Sequence, residues 1–423
     1  MVATFRTTVN KPLVYVGMSG GVDSSVTAAI LKEAGFRVKG VYLRRWSLGK
    51  QAGCTYQEDL RYVEATAKHL NIPYEVWDKR LEYKKLVLDY FIDEYKQGRT
   101  PNPDMLCNVR FKFGVFLKQA LEEGADYVAT GHYARLGGRG IEWNGGSLTL
   151  FRAGNHVFVY TGIDPNKDQS YFLARLTKPQ IQASIMPLGW LTKPLVRKLA
   201  KYFELPTAER KDSQGICFLG KIDLPEFLRK FIRPQVGQIV DVETGRVLGT
   251  HNGVWFYTIG QRQGLGIGGA HKPYYVVAKD TKRNILYVAQ GRNNKYLISK
   301  SVVLHNVRWA EPLTQVWAVI RYRGNPIFSY VEKIGRDTVK LVTGSKGQHF
   351  WAPAPGQFAV LYSNNFVGDN ARVKSLEEQL HSLSASKLLR ILLNGDLINK
   401  LASVRLAKIV GSGVILRGGG DNI

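Results

Sequence analysis

Residues 13–25, LVYVGMSGGVDSS, join a short run of β-formers to a helical repeat through two adjacent glycines. A chain that turns this sharply at the end of an apolar strand leaves several N–H groups of the following helix aimed at one point, where the helix dipole also favours negative charge. Such a turn holds phosphate. It has neither the Gly-Lys-Ser/Thr ending of an ordinary P-loop nor the G-x-G-x-x-G spacing of a dinucleotide fold. In their place stand Gly17, Met18, Ser19, Gly20, Gly21, Val22, Asp23 and Ser24. The hydroxyls of Ser19, Ser24 and Ser25 can donate to phosphate oxygens, and Asp23 can hold a magnesium ion or its water shell. A plain helix cap of glycines and serines would need neither the paired glycines nor an acid fixed between hydroxyls.

Val22, Val26, Ala29 and Ile30 repeat at helical spacing behind the turn. VKGVYL (38–43), YEVWD (74–78) and DYVATGH (126–132) read as further strands. Between them Leu60, Val63, Ala67 and Leu70 share one helical face, and helical stretches cover about 80–97 and 110–123. This alternation predicts an α/β fold with a doubly wound parallel sheet, whose ligands gather at the carboxyl ends of the strands. Beyond about residue 215 short β-rich runs alternate with turns: GQIVDV, GVWFYTIG, PYYVVAKD and NILYVAQG, then SVVLHNVRW, WAVIRYRG, TVKLVTG and QFAVLY. Two small β-rich domains follow from that spacing, with divisions at 1–215, 216–300 and 301–423. Residues 372–408 break the pattern, since Leu376, Leu380 and Leu383 sit at helical spacing and a second apolar segment runs from Leu397 to Ile409.

Over 423 residues, 59 Lys and Arg against 34 Asp and Glu leave a formal charge of +25. Phosphate-rich nucleic acid suits that balance better than an acidic small molecule. Basic residues recur beside aromatic ones in GRNNKY (291–296) and RYRG (321–324), a composition suited to phosphate contact and base stacking. No apolar run approaches membrane-spanning length and MVATFRTTVNK lacks a signal-peptide core, so a cytoplasmic monomer without membrane contact is expected.

Cysteine is sparse. Cys54, Cys107 and Cys217 are an odd set that argues against a disulfide framework. Cys54, in GCTYQED, precedes a helix and reads as a capping or packing residue. Cys107 lies in GRTPNPDMLCN (98–108), among turn-forming prolines and three residues after Asp104. Cys217 lies in KDSQGICFLG (211–220), near Arg210 and Lys211, cations of the kind that lower a thiol pKa. Two such thiols can form a transient disulfide, the usual outcome when one attacks a persulfide on the other. Two buried, inert cysteines fit the same letters, and Asp104, Cys107 and Cys217 could instead hold an iron–sulfur cluster. His69 and His132 have no second His or Cys at ligand spacing, so neither is read as a metal ligand, and His132 at a strand end is placed to line a nucleotide pocket.

The glycine turn resembles the signature of the ATP-pyrophosphatase (PP-loop) superfamily, whose members cleave ATP to AMP and pyrophosphate while adenylating an oxygen. Taken with GRTPNPDMLCN, TGHYAR (130–135), KDQSYFL (167–173), KDSQGICF and TIGQRQGLGIGG (258–269), in that order over about residues 13–365, the chain resembles the tRNA-specific 2-thiouridylases. The resemblance implies a PP-loop catalytic domain, a small central β-rich domain and a final β-barrel. It places ATP with Mg2+ at residues 17–24, with Leu43 against the adenine and Gly131 as a further nucleotide contact. It makes Cys217 the persulfide carrier, Cys107 its nucleophilic partner, and Asp104 an acid beside the target base in one loop with Asn102 and Pro103. Lys167, Asp168, Gln169, Arg321 and Tyr322 match tRNA-contacting positions. The reaction implied is 2-thiolation of the wobble uridine of tRNA. It needs an external reductant and a sulfur-donor protein, either a cysteine desulfurase or a sulfur-relay protein.

Three departures from the family pattern stand out. Leu43 occupies a position commonly held by methionine, and Arg44-Arg45 is more basic than the usual continuation. The largest is an insertion at about 369–408, where the family closes its barrel with a tight hairpin; it reads as a helical pair on the barrel surface or as an added tRNA or partner contact. Two other functions remain open at this level. One is another PP-loop adenylating ligase, acting on a carboxylate or a nucleobase, which needs no cysteine pair; the other is an RNA-binding protein with a decayed nucleotide site, against which the intact turn speaks.

Overall fold

The computed structural model describes residues 11–47, 56–137, 139–144, 147–152, 157–212, 223–269, 271–345, 347–363, 378–393 and 407–418. Cys54 and Cys217 lie outside the described residues. The chain falls into two compact units, one of residues 1–86, 104–220 and 365–409, the other of residues 87–103, 221–364 and 410–423. Among the described residues no helix is long and apolar enough to cross a membrane.

The first unit is built on a five-stranded sheet. In chain order its elements are β1 (Leu13–Gly17), α1 (Val22–Glu33), β2 (Arg37–Arg44), α2 (Tyr56–His69), β3 (Tyr74–Asp78), β4 (Tyr127–Ala129), β5 (Ser184–Ile185) and α3 (Lys193–Tyr202). The strands lie in the order β3-β2-β1-β4-β5 and every pairing is parallel. The order reverses between β1 and β4, which opens a crevice at their carboxyl ends. Val14, Val16, Val41 and Val128 are wholly buried, as a parallel sheet covered on both faces requires. Helix α1 is buried on most of its surface because α3 covers what the sheet leaves, with Val26 and Ile30 in one core with Leu195, Val196 and Leu199.

Two readings need correction here. The prolines of 98–108 were expected to keep that stretch in turns until about residue 110. Instead a continuous helix runs through Pro103–Leu106, Cys107–Phe116 and Leu117–Glu122. Pro103 sits at its first position, where a missing N–H costs nothing. The middle part is wound wide, with the Leu117 N–H reaching the Lys112 carbonyl five residues back. The second correction concerns the insertion, expected on the barrel surface. Its described residues 378–382 and α4 (Ala385–Leu393) belong to the first unit, where Leu380, Leu388, Leu389 and Leu392 join the core that holds α1 and α3. A leucine stripe must be buried somewhere, and α3 offers an apolar face. The insertion's return end is tied to the same unit, the Thr161 N–H donating to the Ala407 carbonyl at 3.1 Å.

The second unit contains a four-stranded sheet and a closed six-stranded barrel. The sheet orders Val247–His251, Gly237–Asp241, Ile285–Gln290 and Tyr274–Asp280. The barrel runs through Ser301–Trp309, Val339–Thr343, Ile327–Lys333, Gln315–Val319, Phe358–Tyr362 and Ile409–Gly418. GVWFYTIG, read as a strand, supplies only a short helical turn at Val254–Phe256, because Gly253 and Gly260 take φ of 130° and 85°, which extended strands do not allow. Residues 87–103 also belong here. The Thr100 N–H donates to the Pro355 carbonyl at 2.8 Å, and Gln357 Nε2 donates to the Thr100 carbonyl at 2.9 Å. Gly356, at φ 92°, lets this staple close, since a Cβ would stand 3.0 Å from the Thr100 nitrogen.

Burial of the insertion in the catalytic core is testable by denaturation. Leu388→Ala is expected to cost about 2–4 kcal/mol of stability, the range for deleting a buried leucine side chain, whereas Arg390→Ala on the exposed face should stay within about 0.5 kcal/mol. Equal urea midpoints for the two variants would show that the helix is not core.

Candidate functional site

The turn between β1 and α1 is braced from within. Ser24 Oγ accepts from the Ser19 N–H at 3.1 Å and donates to the Gly21 carbonyl at 3.0 Å, while Ser19 Oγ accepts from the Gly21 N–H at 3.3 Å. Ser19 remains exposed, but Ser25 is wholly buried, donating to the Gly21 carbonyl and facing Thr66, so its hydroxyl supports the helix rather than a ligand. Gly20 has φ 77°, and a Cβ there would stand 2.5 Å from the Asp59 carbonyl oxygen. Behind the turn Arg210 donates to the Gly20 carbonyl at 2.8 Å and pairs with Asp59 at 2.6 Å, its guanidinium stacked over Tyr62. The first turn of α1 therefore starts from a glycine turn braced from within and from behind.

Asp23 is the acid of this turn, its side chain 33% exposed. Its Oδ1 accepts from Tyr133 Oη and from Lys193 Nζ, both at 2.7 Å. Lys193 opens α3, and its ammonium also lies 2.8 Å from Asp212, which pairs in turn with Lys167 and Arg197 at 2.7 Å each. Burial works to raise the Asp212 pKa, yet the ion pairs with Lys167 and Lys193 win and hold it down to about 2. Burial and the neighbouring Asp23 carboxylate push the Tyr133 hydroxyl well up, so it stays a proton donor. Three cations and two carboxylates therefore meet beside the glycine turn.

The KDQ segment braces this network. Lys167 reaches Asp212; Asp168 accepts from the Gly162 N–H at 2.7 Å and from Ser170 Oγ at 2.8 Å; Gln169 exchanges bonds with the backbone of Tyr133, its Oε1 accepting at 3.1 Å and its N–H donating at 2.9 Å. Burial raises the Asp168 pKa to about 6 against the lowering effect of those donors.

On the other side of the turn, Gly131 follows β4 and faces the start of α1. A Cβ on Gly131 would stand 2.8 Å from the Asp23 carbonyl carbon and 3.0 Å from the Ser24 nitrogen. The next residue, His132, is buried; Nδ1 lies 2.7 Å from Thr130 Oγ1 and Nε2 lies 3.1 Å from Asn108 Oδ1. Burial, and then the Lys112 ammonium 3.3 Å away, push its pKa far down, so the ring is neutral. Asn108 also donates to the Phe172 carbonyl at 3.3 Å, and its neighbour Cys107 is 3% exposed. A continuous run of contacts thus leads from Asp23 through Gly131, His132 and Asn108 to Cys107.

Residues 12–221 match the family model described as the tRNA methyl transferase HUP domain, and residues 225–290 match the tRNA methyl transferase PRC-barrel domain. The tRNA-specific 2-thiouridylase MnmA of Geobacillus thermodenitrificans is 43% identical over 358 residues, which cover 83% of this chain and 92% of that protein. The protein of the same name from Neisseria meningitidis serogroup C is 42% identical over 365 residues, 85% of this chain and 95% of its own length. The chain belongs to the tRNA-specific 2-thiouridylase family.

The positions that resemble the 2-thiouridylase pattern fall in both units. Leu43 is half-buried one residue before the carboxyl end of β2. Asp104 and Cys107 are in the first unit, while Asn102 and Pro103 are in the second, two and three residues beyond the stapled Thr100. Arg321 is also in the second unit and is committed inward, donating to the carbonyls of Ile259 (2.8 Å) and Ala352 and stacking on Trp351. Tyr322 is half-exposed with the Arg323 guanidinium 5.2 Å from its ring. Sequence reading missed Tyr133, Lys193, Asp212 and Asp59, and it named Arg210 only as a cation near Cys217 and not as the brace of the glycine turn. Tyr133 and Asp212 stand inside quoted blocks and were available; Lys193 had no local signal beyond a helix start.

Asp168 gives a pH prediction with a definite sign. Its folded pKa, about 6, lies above the ordinary 3.8, so the folded chain keeps the proton longer than the unfolded one. The associated stability is fully present below about pH 4 and is lost as pH rises through 6. Asp168→Asn should abolish that loss and be at least as stable as the wild type at pH 7.5, by on the order of 1 kcal/mol. Denaturation midpoints between pH 4.5 and 7.5 check this, and parallel profiles for the two proteins would refute it.

Proposed function

We propose that this chain is an ATP-dependent tRNA sulfurtransferase that adenylates the 2-carbonyl oxygen of the wobble uridine and replaces that oxygen with a persulfide sulfur. The observation that carries the reading is the Asp23 carboxylate, partly exposed and held by Tyr133 and Lys193, at the point where a parallel sheet reverses its strand order. Asp23 is a hard oxygen ligand of the kind Mg2+ takes, and Gly20 and Gly131 let the turn pack against Asp59 and the end of β4 against the first turn of α1, closer than any Cβ would permit. ATP, when bound, supplies AMP as a leaving group for an amide-like oxygen that leaves badly by itself. The N–H groups opening α1 and the Lys193 ammonium take up the charge of the departing pyrophosphate. Lys193 thereby does from α3 what the lysine of a P-loop does from within its turn. Neutral His132 and Asn108 hold the helix of Cys107 without adding charge.

In the sulfur step, Cys217 carries a terminal sulfur delivered by a cysteine desulfurase or a sulfur-relay protein. That sulfur attacks C2 and AMP leaves. The Cys107 thiolate then attacks the Cys217 sulfur, a Cys107–Cys217 disulfide forms, and the electron pair of the broken S–S bond stays on the base as its thiocarbonyl. An external reductant returns both thiols. Asp104 orients the base or moves its proton, with Asn102 and Pro103 in the same turn. Lys167, Asp168, Gln169, Arg321 and Tyr322 support tRNA binding, the first three through the framework around Tyr133 and Asp212. The excess positive charge makes that binding steeply salt-dependent.

The two stages separate by mutation. Cys217→Ser and Cys107→Ser should eliminate 2-thiouridine from tRNA, read by nucleoside mass spectrometry, while Cys217→Ser keeps tRNA-dependent pyrophosphate release. Asp23→Asn should lower pyrophosphate release by about 10²-fold or more, the scale on which misplaced charge stabilisation slows an enzyme. Undiminished thiolation by Cys217→Ser would reject the persulfide step.

A further inference from the structure

The insertion at 369–408 is the feature the family pattern leaves without a role, and its described part grips the helix that carries Lys193. The side chains of Leu388, Leu389 and Leu392 pack into the core shared with Leu195, Val196 and Leu199 of α3. Two polar ties fix the register. His381 Nε2 lies 3.3 Å from Thr192 Oγ1, and Lys198 Nζ donates to the carbonyls of His381 (3.1 Å) and Leu383. Thr192 is the residue immediately before α3 and is 1% exposed. A threonine there would ordinarily turn its hydroxyl back onto the helix's own N–H groups. It makes no such bond. Pro194, the second helical residue, has no N–H for it to cap, the Lys193 N–H is taken by Asp164 Oδ2 at 2.9 Å, and the Thr192 hydroxyl lies against His381 instead. One residue on, the Lys193 ammonium lies 2.7 Å from Asp23.

We propose that the insertion is a positioning element of the nucleotide site, His381 acting through Thr192 to set Lys193 against Asp23. The proposal rests on the assignment of Asp23 to the ATP site. A lysine side chain loses much rotamer freedom when its ammonium is held at one point, and a helix start fixed from outside lowers what nucleotide binding must spend on ordering it. The tRNA-contact role expected as one reading of the insertion does not follow from these ties, which all point into the first unit.

The test uses the full chain and Mg-ATP, with affinity read by calorimetry in the absence of tRNA. His381→Ala is expected to weaken ATP binding about fivefold, the factor given by a lost hydrogen bond of ordinary strength, while His381→Gln, whose amide can meet the Thr192 hydroxyl, restores most of it. The defining result is coupling: in a Lys193→Ala background His381→Ala should have no further effect, because it acts through Lys193. An ATP affinity unchanged by His381→Ala, an equal loss with and without Lys193, or a loss of tRNA affinity alone would each overturn the proposal. Asp23→Asn serves as the control for the site. If it leaves ATP binding intact, the nucleotide assignment falls and this proposal with it; if it abolishes binding while His381→Ala changes nothing, only the positioning role falls.

Discussion

A half-buried carboxylate is costly unless its charge is spoken for. Asp23 solves this with two donors on one oxygen, Tyr133 and Lys193, and Lys193 is itself shared with Asp212. Removing Lys193 would take from the partly buried Asp23 carboxylate its ion-pair partner, which is costly in a protein interior. The rest of the first unit can be seen as what keeps these few atoms in place. Gln169 fixes the backbone of Tyr133, Asp164 fixes the start of α3, and Arg210 fixes the glycine turn from behind.

The glycines explain why this geometry belongs to the crevice between β1 and β4 and to no other end of the sheet. Gly20 takes a backbone conformation closed to side chains and lies against Asp59, while Gly131 brings the end of β4 within contact of the first turn of α1. The strand order reverses at the same place. Backbone approach, helix terminus and topology thus converge on one spot, and the close backbone contacts there are open only to glycine at both positions.

What could be read in the sequence was what is encoded locally. YEVWD and the β1–α1 turn follow from alternation, periodicity and the demands of glycine, all within a few residues. The failures have one physical character. Pro103 looked like a loop residue because proline's meaning depends on whether it stands at the first position of a helix or inside it, which spacing does not reveal. The leucine stripe of the insertion announced a helix needing cover, but not that α3 would provide the cover. Lys193 lies 170 residues from Asp23 in the chain, so nothing near it could identify it as the cation of the glycine turn.

The KDQ segment shows the same limit from the other direction. Its charged and polar letters suggest contact with nucleic acid, yet Asp168 spends its carboxylate on Gly162 and Ser170, and Gln169 spends its amide oxygen on Tyr133. The cluster of Lys167, Lys193 and Arg197 with Asp23 and Asp212 carries a net charge of only +1, three cations less two carboxylates, against +25 for the chain. Most of the surplus therefore lies outside the chemistry. Charge in a half-buried cluster must be nearly balanced to tolerate its partial burial, whereas charge that attracts a polyanion acts over several ångströms through solvent and need not be buried at all. One chain keeps the two in different places: a small, paired, half-buried set of ions beside the glycine turn, and a large positive excess outside it.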